Sequence, residues 1–223
     1  MPDDPTSTSR RRLFKAAGAA GAAAVIPLKL VGAQSAGPSR YEFLSADEAA
    51  FVEAAIARLI PADELGPGAL EAGVATFIDR QLAGPFGKGA RLYRSGPWRQ
   101  GTPSQGYQHP FTPAELFRSG VRELDVKRFA ALAPEARDEF LRRLERARPT
   151  FFNLLLDLTL EGFFADPVYG GNQGMAGWKL VGFPGAYANY FDAVDRHNVA
   201  FTAPPIGIES GSASHRGHKT SGS

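Results

Sequence analysis

Apolar residues recur at helical spacing along most of the chain, separated by sharp stop signals. Ser45-Ala-Asp-Glu48 reads as a capping box, and Phe51, Val52, Ala55, Ile56, Leu59 and Ile60 follow on one face until Pro61. A second amphipathic helix is predicted from about Leu70 to Leu82, with Val74, Phe77, Ile78 and Leu82 together on its inner side. Thr112-Pro-Ala-Glu115 repeats the box with proline at the first helical position, opening a helix that carries Leu116, Phe117, Val121 and Leu124. Another begins near Pro134 and sets Phe140, Leu141 and Leu144 against arginines on the opposite side, until Pro149. From Phe151 to Leu160 the pattern is almost unbroken apolar, so helix 150–161 is expected to be buried all round. No stretch alternates with a period of two over a useful length. The predicted fold is all-α: about six helices over residues 45–202, joined by long Gly/Pro-rich connections.

The chemistry changes after the buried helix. Gly162 stands where a left-handed cap would end it, and Asp166-Pro167 cannot continue a helix. Gly170-Gly171-Asn172 allows positive φ at consecutive positions, so the backbone can turn tightly. Tyr169, Trp178 and Phe183 give such a loop large rings to bury. A further short helix is expected from near Pro184, over Ala186 to Val194. The reading is helix, glycine-rich aromatic knot, helix.

Glu161-Gly162-Phe-Phe-Ala-Asp166-Pro167-Val-Tyr169-Gly170-Gly171-Asn172, followed by Gly177-Trp178-Lys-Leu-Val-Gly182-Phe183-Pro184-Gly185, resembles the signature of the gluconate 2-dehydrogenase subunit 3 family. The resemblance reaches back to Leu59-Ile-Pro-Ala-Asp63 and to Ala72-Gly73 with Phe77-Ile-Asp79, and spans residues 45–200. It implies a small subunit without a cofactor of its own, belonging to a bacterial membrane-associated sugar or polyol dehydrogenase. The implied partners are a large FAD-dependent catalytic subunit of the GMC type and a multihaem cytochrome c subunit, whose haem c accepts the electrons and which anchors the complex to the membrane.

Charge adds a leader to the picture. The 223 residues carry a formal net charge of +2, but residues 1–33 hold Arg10, Arg11, Arg12, Lys15 and Lys29 against only Asp3 and Asp4. The rest has 20 basic and 21 acidic residues, which gives nucleic-acid binding no electrostatic support. Ser9-Arg10-Arg11-Arg12-Leu13-Phe14-Lys15 matches a twin-arginine (Tat) export signal. A weakly hydrophobic run from Ala16 to Leu28 follows, then the small-residue site Val31-Gly-Ala33, so cleavage is expected between Ala33 and Gln34. As helix that run spans only ~20 Å, short of a ~30 Å hydrocarbon core. The expected layout is a signal peptide over 1–33, a linker over 34–44 and a disordered Pro/Ser/Gly-rich tail over 203–223, with the protein exported to the periplasm through the Tat translocase.

Candidate chemistry is sparse. The absence of cysteine excludes disulfides, thiolate zinc sites and cysteine-ligated clusters. No dinucleotide fingerprint, phosphate loop, paired-histidine zinc motif or nucleophile elbow occurs. Asp157, Glu161 and Asp166 offer three carboxylates, either for a divalent cation or as acceptors for backbone amides of the following loop. Asp63 and Asp79 read as turn caps facing water. Catalytic, cofactor-binding and metal residues are therefore assigned to none. Residues 83–110 hold Phe86, Tyr93, Trp98 and Tyr107 among Arg91, Arg94 and Arg99. That is either an arm laid on a partner, with Tyr93, Arg94, Trp98, Arg99 and Tyr107 as contacts, or a loop folded back on its own domain. An alternative to the subunit reading is a periplasmic module that holds a sugar or polyol against Trp178 and Tyr169, with Asp166 and Asn172 as hydrogen-bonding groups.

Overall fold

Both capping boxes form as the sequence requires. Ser45 accepts from the Glu48 amide while the Glu48 carboxylate accepts from the Ser45 amide, and Thr112 and Glu115 repeat the exchange. They open α1 (Ala46–Leu59) and α3 (Pro113–Arg122) of a computed structural model that describes residues 40–99, 101–102, 105–106 and 108–209. Seven α-helices occur among the described residues, where about six were expected. The others are α2 (Val74–Ala83), α4 (Val126–Ala131), α5 (Pro134–Ala147), α6 (Pro149–Phe164) and α7 (Ala176–Val181). No strand is found among the described residues, only isolated bridges at Asp63–Gly66 and Gly185–Ile206. Arg10, Arg11, Ala33, Gln34, Tyr107 and residues 210–223 lie outside the described residues.

Helix α6 is the axis of the domain, in contact with α1, α2, α3, α5 and α7. Its buried residues Phe151, Phe152, Leu154, Leu155, Leu158 and Phe163 lie on several sides, as a nearly all-apolar helix demands. A connected row of rings runs through the core beside it. Phe43 meets Phe117 at 5.7 Å, Phe117 meets Phe151 at 6.0 Å, Phe51 meets Phe129 at 5.0 Å, and Phe129 meets Phe140 at 4.9 Å. These tilted and edge-on pairs add to simple area burial. At the rim, Arg58 grips Asp138 through Nε at 2.7 Å and Nη2 at 2.8 Å, joining α1 to α5.

Four boundaries differ from expectation. The second helix begins at Val74 rather than near Leu70, because Gly73 takes φ 73° in front of it and 69–73 form turns. Gly162 does not cap α6; the helix continues to Phe164, and Gly162 is instead a small residue in tight contact. The helix expected over Ala186 to Val194 is absent. Gly185 has φ 86° and the Ala186 amide donates to the Ile206 carbonyl at 2.7 Å, so only a 3-10 turn at Phe191–Ala193 forms. The short helix is α7, seated earlier on Trp178. The domain also reaches beyond 45–202 at both ends: Tyr41 and Leu44 are buried, and Ile206 pairs with the 184–186 backbone.

Candidate functional site

The knot after α6 is built from groups that satisfy one another. Ala165 ends the helix, and Asp166 caps the 3-10 turn Pro167–Tyr169 by accepting from the Val168 amide at 3.0 Å. Its other carboxylate oxygen accepts from the Ile208 amide at 2.8 Å, so the returning C-terminal strap is tied to the same side chain. Gly170 takes φ 104° and closes that turn. Gly171 then passes directly over the last turn of α6, where a Cβ would stand 2.1 Å from the Gly162 carbonyl oxygen.

Asn172 follows in the left-handed region at φ 48° and is 0% exposed. Its amide bridges two elements: Nδ2 donates to the Ala165 carbonyl at 2.8 Å, and Oδ1 accepts from the Gly177 amide at 2.9 Å. The polar end of Asn172 thus links the C-terminus of α6 to the start of α7. One residue on, the Gln173 amide donates to the Ala72 carbonyl at 2.9 Å, binding the knot to the turn before α2. Trp178 is buried and donates through Nε1 to the Phe164 carbonyl at 2.7 Å, an acceptor α6 leaves free at its end. Phe183 packs edge-on to the Trp178 ring at 5.2 Å while keeping an outer face in solvent. Gly182 takes φ 67° to end α7, and Pro184 offers its carbonyl to the Ile206 amide at 3.1 Å.

These placements bear on two alternative readings and correct one expectation, that for Asp79. Asp166, Asn172 and Trp178 are turned inward with their polar groups engaged, so they do not present a sugar site; only Tyr169, at 50% exposed, stands open. The three carboxylates do not converge on a cation either. Asp166 faces amides of the loop and strap, as the acceptor reading held, and no group of His, Cys, Asp and Glu able to hold a metal occurs among the described residues. Asp63 does cap an exposed turn, through the Leu65 amide at 2.8 Å. Asp79 does not face water: it is buried and accepts from the amides of Glu42, Phe43 and Leu44 at 2.8–2.9 Å, fixing the entry to α1.

Much of what the knot shows to solvent is apolar, beside the polar Glu161, Gln173 and Lys179. Leu160, Phe164, Val168, Tyr169, Leu180, Val181 and Phe183 all stand exposed on or beside it. Between α2 and α6 lies an open cleft of about 440 Å³ lined by Phe77, Gln81, Glu161, Phe164, Ala165 and Tyr169. Glu161 is the one carboxylate in that lining. Burial against the cleft wall, and then the Asp157 charge one turn earlier, push its carboxyl above the usual glutamate range. The sequence places Leu160 in a helix expected to be buried all round and assigns Phe164 no role. The visible signal was the acidic pair Asp157/Glu161, four apart in an apolar helix, which marks one side of α6 as outward.

The 83–110 connection divides. Its first part folds back, with Phe86 against the core and the Gly87 carbonyl accepting from the Ala114 amide at 3.1 Å. Arg94 turns back toward Pro110 and lies 4.0 Å from Glu115. Tyr93, 73% exposed, and Arg99 project, and Trp98 is half-buried.

No helix among the described residues is long and apolar enough to cross a membrane. No curated protein and no solved structure matches the chain. A family model, that of gluconate 2-dehydrogenase subunit 3, matches residues 46–185, from the first residue of α1 to the glycine that closes the knot. With well over half of its length matched, ending on the signature and its buried Trp178, this chain belongs to the gluconate 2-dehydrogenase subunit 3 family.

Proposed function

We propose that this chain is the non-catalytic small subunit and Tat export escort of a membrane-associated, FAD-dependent dehydrogenase of the GMC type acting on a sugar or polyol. The observation that carries the reading is the division of labour in the signature motif. Its inner polar groups, on Asp166, Asn172 and Trp178, are spent on backbone partners within the fold, whereas the large side chains it exposes beside Glu161 and Lys179 are the rings of Phe164, Tyr169 and Phe183. Catalysis and sugar binding both need polar groups aimed outward; docking to a large protein needs rigid apolar rings. The FAD then belongs to the large partner, and haem c to a cytochrome subunit that holds the complex at the periplasmic side of the membrane.

The leader supports the escort role. The twin-arginine route carries folded proteins, and a flavoenzyme must fold around its cofactor before crossing. A small subunit that bears Arg10 and Arg11 takes a partner without its own signal across with it.

Replacing Arg10 and Arg11 by lysine tests this. The partner should still fold and load flavin, so its activity appears with an artificial electron acceptor in the cytoplasmic fraction. It should be missing from the periplasm and from washed membranes. Partner activity at its normal level in the periplasm rejects the escort role.

A further inference from the structure

The cleft between α2 and α6 combines two properties that single out its occupant. Apart from Gln81 and Glu161 its lining is apolar and open: Phe77 and Ala165 inside, Phe164 and Tyr169 exposed at the edge. Its charge is uncompensated. Asp157 and Glu161 lie one helical turn apart on the exposed side of α6, and neither has a hydrogen bond or ion pair among the described residues. Elsewhere among the described residues, unpaired acids such as Glu135 and Glu145 stand in open solvent rather than beside an apolar cleft, and several partly buried ones are paired. Glu48 pairs with Arg118, Asp138 with Arg58, and Glu123 with Arg148. The nearest cation of α2, Arg80, lies with its guanidinium against Gly170 and forms no ion pair with either acid. Glu161 is partly desolvated against the apolar wall and is repelled by Asp157; a cation delivered to it relieves both penalties.

We propose that this cleft seats a segment of the flavoprotein partner that brings one arginine or lysine, flanked by apolar side chains, onto Glu161 with Asp157 beside it. The proposal rests on the subunit reading given above and names the contact that reading lacks. Arginine suits the position best, because its planar fork can meet both carboxylates while its stem lies along Phe164 and Tyr169. The apolar rings supply contact area, and the charge pair selects the partner and its register.

The test is co-purification of the flavoprotein with the tagged full chain, co-expressed, read as flavin absorbance per mole of subunit. Glu161→Lys should cut the co-purified flavin by about tenfold or more, because it sets like charges against each other in a desolvated contact. Glu161→Gln should lose less, and its complex should respond less to added salt than the native one. Glu145→Lys, an exposed site on α5, should leave the yield unchanged. All three chains should melt like the native subunit, which separates lost docking from lost folding. If the native chain brings down no flavoprotein, the subunit reading itself fails. If it does, and Glu161→Lys binds equally well, that reading stands and the cleft is not the contact. Light scattering of the purified subunit gives the remaining outcome. A native dimer that Glu161→Lys makes monomeric assigns the cleft to a second copy and overturns the proposal.

Discussion

Gly171 lies so close to Gly162 that a Cβ on Gly171 would stand 2.1 Å from the Gly162 carbonyl oxygen. The signature glycines are therefore a contact between two backbones, the loop crossing the last turn of α6. Gly171→Ala forces that crossing apart, and the oxygen belongs to a helix that cannot yield. The expected loss is about 3 kcal/mol, the upper part of the range for overpacking. Urea unfolding of the mature subunit measures it; a variant as stable as the native chain would mean the two backbones are not in contact.

Asn172→Ala removes both halves of the bridge between α6 and α7. The Ala165 carbonyl and the Gly177 amide lose their partners in a buried place, and alanine fits the left-handed backbone poorly. A loss of about 2–4 kcal/mol is expected from those effects together. Asn172→Gly keeps the backbone relaxed while deleting the same amide, so its smaller loss isolates the hydrogen bonds. Equal melting of the two variants would show that backbone conformation contributes nothing.

Trp178 contributes both bulk and a donor. Trp178→Ala empties the centre of the knot at a cost of about 3–5 kcal/mol. Trp178→Phe retains much of the ring and forfeits the Nε1 bond to Phe164, costing about 1–3 kcal/mol. Thermal melting ranks them. Neither substitution should leave stability unchanged while abolishing complex formation, which is the result a surface-displayed Trp178 would give.

Glu48 makes stability depend on pH in a known direction. Burial raises its carboxyl pKa, but hydrogen bonds from Arg118 and from Ser45 outweigh that and hold it below the usual glutamate range. A depressed carboxylate adds stability that is complete above its unfolded value of about 4.3 and is lost as pH falls through the lower folded value. Glu48→Gln should therefore melt lower than the native chain at pH 7, with the gap closing in acid. A gap that stays constant down to pH 2–3, roughly the acid end of the carboxylate range, would remove Glu48 from the acid response.

Much of the architecture is written locally. Ser45/Glu48 and Thr112/Glu115 announce two helix starts, Pro134 a third, and Pro149, expected as a stop, also opens the next helix; each signal lies within a few residues of what it controls. The misreadings come where the cause is distant. A glycine near the end of a helix looks the same in sequence whether it caps or is crossed; what decides Gly162 is Gly171 on one side and Phe77 and Val74 on another. Ala186–Val194 has a passable helical pattern, but pairing with Ile206 on both sides of Gly185 holds the entry to it in a non-helical path. Asp79 looked like a surface cap because its three donors, at 42–44, are more than thirty positions away. At the candidate site, the motif residues are visible in sequence and their direction only in part: of the three rings expected to be buried, Trp178 is, whereas Tyr169 and Phe183 stand half in solvent. Whether Asn172 or Trp178 points in or out is settled by the helix ends they bond to, and no short window contains both partners.

The knot gathers three helix ends into one joint. Asn172 ties α6 to α7, Gln173 ties them to the turn before α2, and Asp166 holds the strap at Ile208. The backbone that carries Phe164 and Tyr169 is pinned on both sides by these bonds. A protein landing there meets a backbone already fixed in place, so the loop-ordering part of the entropy that docking usually forfeits has here been surrendered during folding. The stability of the knot and the tightness of whatever it holds are then one quantity seen twice, and loosening Gly171 or Asn172 should weaken association even though neither residue can be touched from outside.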